Sequence, residues 1–97
     1  MIIAAAQITL LIPENDSLKG KRRVVKSLIE RVRHKFEAAI AEVGDNDLWQ
    51  KARIGVALVG NDAQLLNSRL QQIMKFIESQ HLAEIIDSQV ELCYLEK

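Results

Sequence analysis

One cysteine, one proline, four glycines and four aromatic residues are all that this 97-residue chain carries of those types. Cys93 alone cannot close an internal disulfide and leaves no Cys-x-x-Cys metal or redox motif. So few glycines leave no glycine-rich phosphate loop, and no Ser/His/Asp arrangement can be argued from spacing. No apolar run approaches the ~20 residues that a bilayer-spanning helix needs. The opening run Met1 to Ala6 has no basic residue ahead of it and is broken by Gln7, so it does not read as a signal peptide. The expected compartment is the cytoplasm. Net charge is absent too, with 13 basic and 13 acidic residues.

What is present is ordinary globular composition, 48% apolar and 27% charged, enough for a single domain over residues 1–97. Ile2 to Ile12 is a continuous apolar run closed by Pro13, and it predicts a strand covered on both faces. Glu14-Asn15-Asp16 is a turn and Ser17 a helix N-cap. Leu18, Val25, Leu28, Ile29, Val32 and Phe36 then fall on one helical stripe. Phe36 to Val43 reads as a second strand, followed by a turn over Gly44 to Asp47. Arg53 to Gly60 reads as a third strand. Asn61 or Asp62 caps a second helix whose buried arc is Leu65, Leu66, Leu70, Ile73, Met74 and Ile77. Last, Ile86, Ser88, Val90, Leu92 and Tyr94 alternate with Asp87, Gln89, Glu91 and Cys93, the pattern of a half-buried edge strand.

The order β-α-β-β-α-β, with right-handed crossovers, predicts an α+β ferredoxin-like (split βαβ) sandwich: four antiparallel strands with two helices on one face. The two continuously apolar runs take the centre, and the alternating run takes an edge. The face without helices offers Ala5, Ala39, Ala41, Ala57 and Val59 with few charges. Small apolar residues left wet over such an area are unusual. The expectation is a homodimer through that face, the alternative being that Gly44 to Lys51 folds back as a lid. Trp49, beside Leu48, is expected to anchor that lid over the core, or else to contact a partner.

Charge is neutral in sum and segregated in place. Eight of the 13 Lys and Arg residues lie between Lys19 and Lys35 against one acid, Glu30, a local charge of +7. Lys19, Arg23, Lys26 and Arg33 fall opposite the apolar stripe, with Lys21 and Arg22 on its flanks and Glu30 placed to pair with Lys26 and Arg33. Four cations thus crowd a helix start whose dipole is already positive, at a cost of about 0.3–1 kcal/mol each in exposed sites. With the Gly20 N–H, the set Lys19, Gly20, Lys21, Arg22, Arg23, Lys26 and Arg33 forms a candidate phosphate site. The plainer reading is that Glu14, Asp16, Asp45 and Asp47 fold over these cations as weak surface ion pairs.

The segment Ser17-Leu18-Lys19-Gly20-Lys21-Arg22-Arg23-Val24-Val25-Lys26-Ser27-Leu28 resembles the YlxP-like family of small bacterial proteins. So do Ala41-Glu42-Val43, Asp47-Leu48-Trp49-Gln50, Gly55-Val56-Ala57 and the pair Asn61-Asp62, in order along nearly the whole chain. The resemblance implies a ferredoxin-like fold, no established activity, and genes often placed beside transcription-elongation and translation-initiation factors. The family usually carries Glu where this chain has Gly20. Loss of that capping box predicts a more frayed, more electropositive helix start.

The first and third strands contain no Phe, Tyr or Trp, so the sheet is not a base-stacking platform of the RRM kind. Nucleic-acid contact is then expected through phosphates and is salt dependent. His34 and His81 are isolated, Cys93 has no neighbouring His, and Asp45 and Asp47 read as a turn; no catalytic residue, metal or cofactor is assigned. Three functions compete. The first is a non-enzymatic module meeting RNA phosphates or a ribosomal partner. The second is a dimeric small-molecule sensor with Asn61, Asp62 or Trp49 in a pocket between its subunits. The third, ranked last, is an enzyme on phosphorylated substrates using Asp45, Asp47 or Glu42.

Overall fold

The computed structural model describes residues 1–13 and 15–96. Its elements are β1 (Ile2–Leu11), α1 (Leu18–Lys35), β2 (Ala39–Gly44), β3 (Lys51–Gly60), α2 (Ala63–Ser79) and β4 (Glu84–Tyr94). One antiparallel sheet runs in the order β2-β3-β1-β4. This is the ferredoxin-like α+β topology, with the two apolar strands central and the alternating one at an edge. The family's expected glutamate is not needed to start α1: the Ser17 hydroxyl accepts from the Gly20 N–H at 3.0 Å.

The core lies between the helices and one face of the sheet. Ala4, Ala6, Ile8 and Leu10 of β1 and Ala52, Ile54, Val56 and Leu58 of β3 point into it. Val25, Leu28 and Val32 of α1 and Leu66, Leu70, Ile73, Met74 and Ile77 of α2 close over them. Each of the larger of these side chains, the Val, Leu, Ile and Met, contributes roughly 1.5–3 kcal/mol on burial. The two apolar strands are therefore covered on one face in the single chain, not on both. The other face is open.

Several boundaries differ from the sequence reading, each for a local reason. Phe36 is the C-cap of α1 and its ring packs edge-on against Phe76, so β2 starts three residues later, at Ala39. β3 starts at Lys51, which pairs with Leu11, and this shortens the connection expected to serve as a lid. Leu65 is 52% exposed and Leu66 takes the inward place. In β4 a bulge between Thr9 and Leu10 of the β1 pairing leaves Ile86 exposed and turns Ile85 toward the helices. A second bulge, between Glu42 and Gly44, lays Val43 across Gly55, where any Cβ would fall 2.9 Å from Val43 Cγ1.

Candidate functional site

The start of α1 is built as a clamp. Asn15 Nδ2 donates to the carbonyl of Ser17 at 2.7 Å and to that of Trp49, while Gln50 Nε2 donates to the Asn15 carbonyl at 3.2 Å. The Asn15 side chain lies directly on Gly20, where a Cβ would collide with its Oδ1. The helix start expected to fray is thus tied to the β2–β3 connection, and any larger residue at Gly20 would have to displace the Asn15 amide. The Gly20 N–H, expected to face an anion, is already spent on Ser17.

Lys21, expected on the flank of the anion site, is 1% exposed and belongs to the interior. Its ammonium pairs with Glu42 Oε2 at 3.1 Å and donates to the Asp45 carbonyl. Glu42 Oε2 takes the charge without a well-angled hydrogen bond. The physical reason is that Lys21, Val25, Leu28 and Val32 form one helical stripe and Glu42 shares the inward parity of Ile40. An inward lysine therefore meets an inward carboxylate. Glu42 and Asp45 do reach the helix start, as anchors of this lysine.

The remaining cations divide. Lys19, Arg22, Arg23 and Lys26 are exposed, and among the described residues no carboxylate forms an ion pair with them. They span about 10 Å along the helix at 1.5 Å per residue. Arg33 is also exposed, but its Nη2 donates to the Ile40 carbonyl of edge strand β2 at 2.8 Å. Glu30 makes no ion pair with Lys26 or Arg33. Of the acids expected to fold over the cations, Asp16 and Asp47 are exposed and form no ion pair among the described residues, and Asp45 turns to Arg53 at 3.8 Å. Glu14 lies outside the described residues.

The β2–β3 connection does not cover the open face. Trp49 is 52% exposed, so it is not the core anchor expected of it. Its backbone, through the Asn15 bond, is what holds the loop. The open face carries Val59 at 62% and Val43 at 54% exposure, and around Ala5, Gln7, Ala41, Gly55, Ala57 and Gln89 it hollows into a trough of ≈ 840 Å³. Asn61, Asp62 and Trp49, expected in a pocket between subunits, are not among the residues around this trough of the single chain. Asp62 instead caps α2, its Oδ1 accepting from the Leu65 N–H at 3.2 Å.

A second concavity was not legible in the sequence. Ser27, Glu30, Arg31, His34, Lys35 and Phe76 line a groove of ≈ 620 Å³ between the helices. Arg31 Nη1 bonds Gln80 Oε1 at 2.9 Å across it, and the Lys35 ammonium sits 4.8 Å from the centroid of the Phe76 ring. The available signal was Phe76 itself, an aromatic outside the second helix's apolar arc.

The topology and the basic first helix define a small α+β domain of the split βαβ class. The family model described as "Protein of unknown function (DUF503)" matches residues 3–90, and the chain belongs to that family. It is 36% identical over 78 residues to the uncharacterized protein YlxP of Bacillus subtilis (strain 168), covering 80% of this chain and 85% of that one. Among solved structures, that of the putative chlorite dismutase TA0507 is similar at a TM-score of 0.48 and 12% identity. That likeness covers 95% of this chain, which spans 44% of the length of the other. No helix among the described residues is long and apolar enough to cross a membrane.

Proposed function

We propose that this chain is a cytoplasmic, non-enzymatic binding protein whose α1 ridge of Lys19, Arg22, Arg23 and Lys26 meets the phosphates of RNA. The observation that supports this reading is the four exposed cations of one helix face without ion-pair partners among the described residues. Lys21 and Arg33 are left out of the ridge, since one is buried and the other holds an edge carbonyl. Phosphate contacts of this kind release counterions. For a single strand, four of them give log K a slope of about −2.8 against log salt, or roughly a 50-fold loss between 50 and 200 mM. Filter binding to ribosomal RNA across that range tests the reading. Arg22→Ala with Arg23→Ala halves the slope to about −1.4, whereas Arg69→Ala on α2 leaves it unchanged. No binding at low salt, or a slope indifferent to the double replacement, sinks it.

The same reading includes a homodimer through the open sheet face. Val43 and Val59 are exposed there, the residues between them are small, and the β2–β3 connection leaves them uncovered. Light scattering on the parent chain then gives twice the chain mass, and Ala57→Glu, which sets a carboxylate in the middle of that face, gives a monomer with unchanged circular dichroism. A parent that runs as a monomer at micromolar concentration removes the dimer from the account.

A further inference from the structure

The groove between α1 and α2 lies on the flank of α1 next to the cation ridge, and its chemistry differs from the ridge's. Among the described residues Phe76 is the one aromatic residue of its lining, half-buried, with its orientation fixed by Phe36 at a centroid distance of 5.6 Å and an interplanar angle of 74°. Over the ring lies the ammonium of the exposed Lys35, 4.8 Å from its centroid and 5.9 Å from that of Phe36. A cation held this way is exchangeable. An exposed cation–π contact is worth only about 0.5–1 kcal/mol, less than an aromatic ring gains by stacking on a base.

Around the ring the groove presents Arg31 and His34, the hydroxyl of Ser27, and a single acid, Glu30. A neighbouring hollow shares Lys35 and Phe76 and adds Gln72, Lys75 and Ser79. A rigid aromatic surface ringed by cations and by neutral donors and acceptors suits a planar, polar, anion-bearing ligand. The volume, ≈ 620 Å³, falls in the range of small-molecule sites, about 300–1,000 Å³, and exceeds what one base fills. A purely acidic peptide would use the cations and leave the ring idle.

We propose that this groove receives one unstacked base of a single-stranded RNA, with Phe76 as the stacking surface and Lys35 swinging from the ring to the adjoining phosphate. The proposal rests on the phosphate-binding role of α1 and adds to it a base site on the adjoining flank of the same helix. Stacking is sequence tolerant, because every base has a π-face, so the site selects unpaired RNA over duplex.

The test compares two polyanions: a single-stranded uridine 12-mer and inorganic polyphosphate, which has no base. Phe76→Leu keeps apolar bulk beside Phe36 and removes the aromatic face. It is expected to weaken 12-mer binding about 5- to 100-fold while leaving polyphosphate affinity and the salt slope unchanged. Arg22→Ala with Arg23→Ala weakens both ligands and flattens the slope. A Phe76→Leu protein that binds the 12-mer as the parent does overturns the base site and spares the ridge. Equal loss for both ligands also overturns it, since the replacement then acts through the fold. A parent chain that binds neither ligand overturns the ridge and the groove together. A duplex bound as tightly as the single strand counts against the groove alone.

Discussion

The fourth residue of each helix is buried, and the two helices fill that place with opposite chemistry. In α2 it is Leu66, packed against Gly60, where a Cβ would lie 3.1 Å from Leu66 Cδ2. In α1 it is Lys21, its ammonium held by Glu42 and the Asp45 carbonyl. Both helices begin with a side-chain cap and neither has an acid in its first turn. Both pack one apolar stripe on the same sheet. The packing of a crossover helix in this fold therefore requires neither a buried lysine nor a basic surface, because α2 manages with Arg69 and Lys75 alone among its 17 residues. The cations in the first half of α1 fall into two sets for different reasons. One, Lys21, joins α1 to the β2–β3 connection. The other, Lys19, Arg22, Arg23 and Lys26, is surplus to the fold.

The largest effect separates those sets. Lys21→Ala leaves the inward Glu42 without its cation and is expected to cost about 3–5 kcal/mol of unfolding free energy. Leu66→Ala costs about 2–5 kcal/mol by a different route, a cavity. Arg22→Ala, one residue from Lys21, stays within about 0.5 kcal/mol. Replacing the pair together, Lys21→Met with Glu42→Met, recovers most of the loss, since a buried pair exchanged for apolar groups is close to neutral. Urea unfolding of the four proteins reads all of this. If Lys21→Ala is as mild as Arg22→Ala, the lysine is wet in solution and the difference between the helices disappears.

This pair also shows how far the sequence could be read. The order of elements follows from punctuation that is visible in it: Pro13, Ser17, the turn after Gly44 and the Gly60-Asn61-Asp62 cap. Lys21 was legible in principle. It stands four, seven and eleven residues before Val25, Leu28 and Val32, and a strict helical stripe includes it. Its charge argued for the surface, and only the inward parity of Glu42 on the neighbouring strand outweighs that. The β4 bulge was not legible, because Ile85 and Ile86 are both apolar and either can face inward. The Phe76 groove depends on where α2 docks beside α1, which the sequence does not state. Trp49 misled for a related reason. A lone tryptophan beside a leucine suggests burial, but here the backbone of that loop is tied by Asn15 and the tryptophan itself is left 52% exposed.

The helices differ at their far ends too, where the smallest effect is expected. α1 stops in an extended residue, Phe36, at φ −124°, with Arg33, His34 and Lys35 in its last turn to meet the negative end of the dipole. α2 has no cation in its last turn and stops by turning left-handed: His81 sits at φ 56°, its N–H donating to the Glu78 carbonyl at 3.2 Å. That is a position where glycine is free and a residue with a Cβ is strained. His81→Gly relieves the strain and in turn adds freedom to the unfolded chain, so the net gain is about 0.5–1 kcal/mol, below the gross penalty of the left-handed backbone. The same replacement at Phe36 would lose a ring packed on Phe76, so the gain is particular to the end of α2. A rise in the urea midpoint with an unchanged m-value is the expected outcome. A fall would mean that the imidazole itself holds this helix end, and that the two helices stop by more similar means than their backbones indicate.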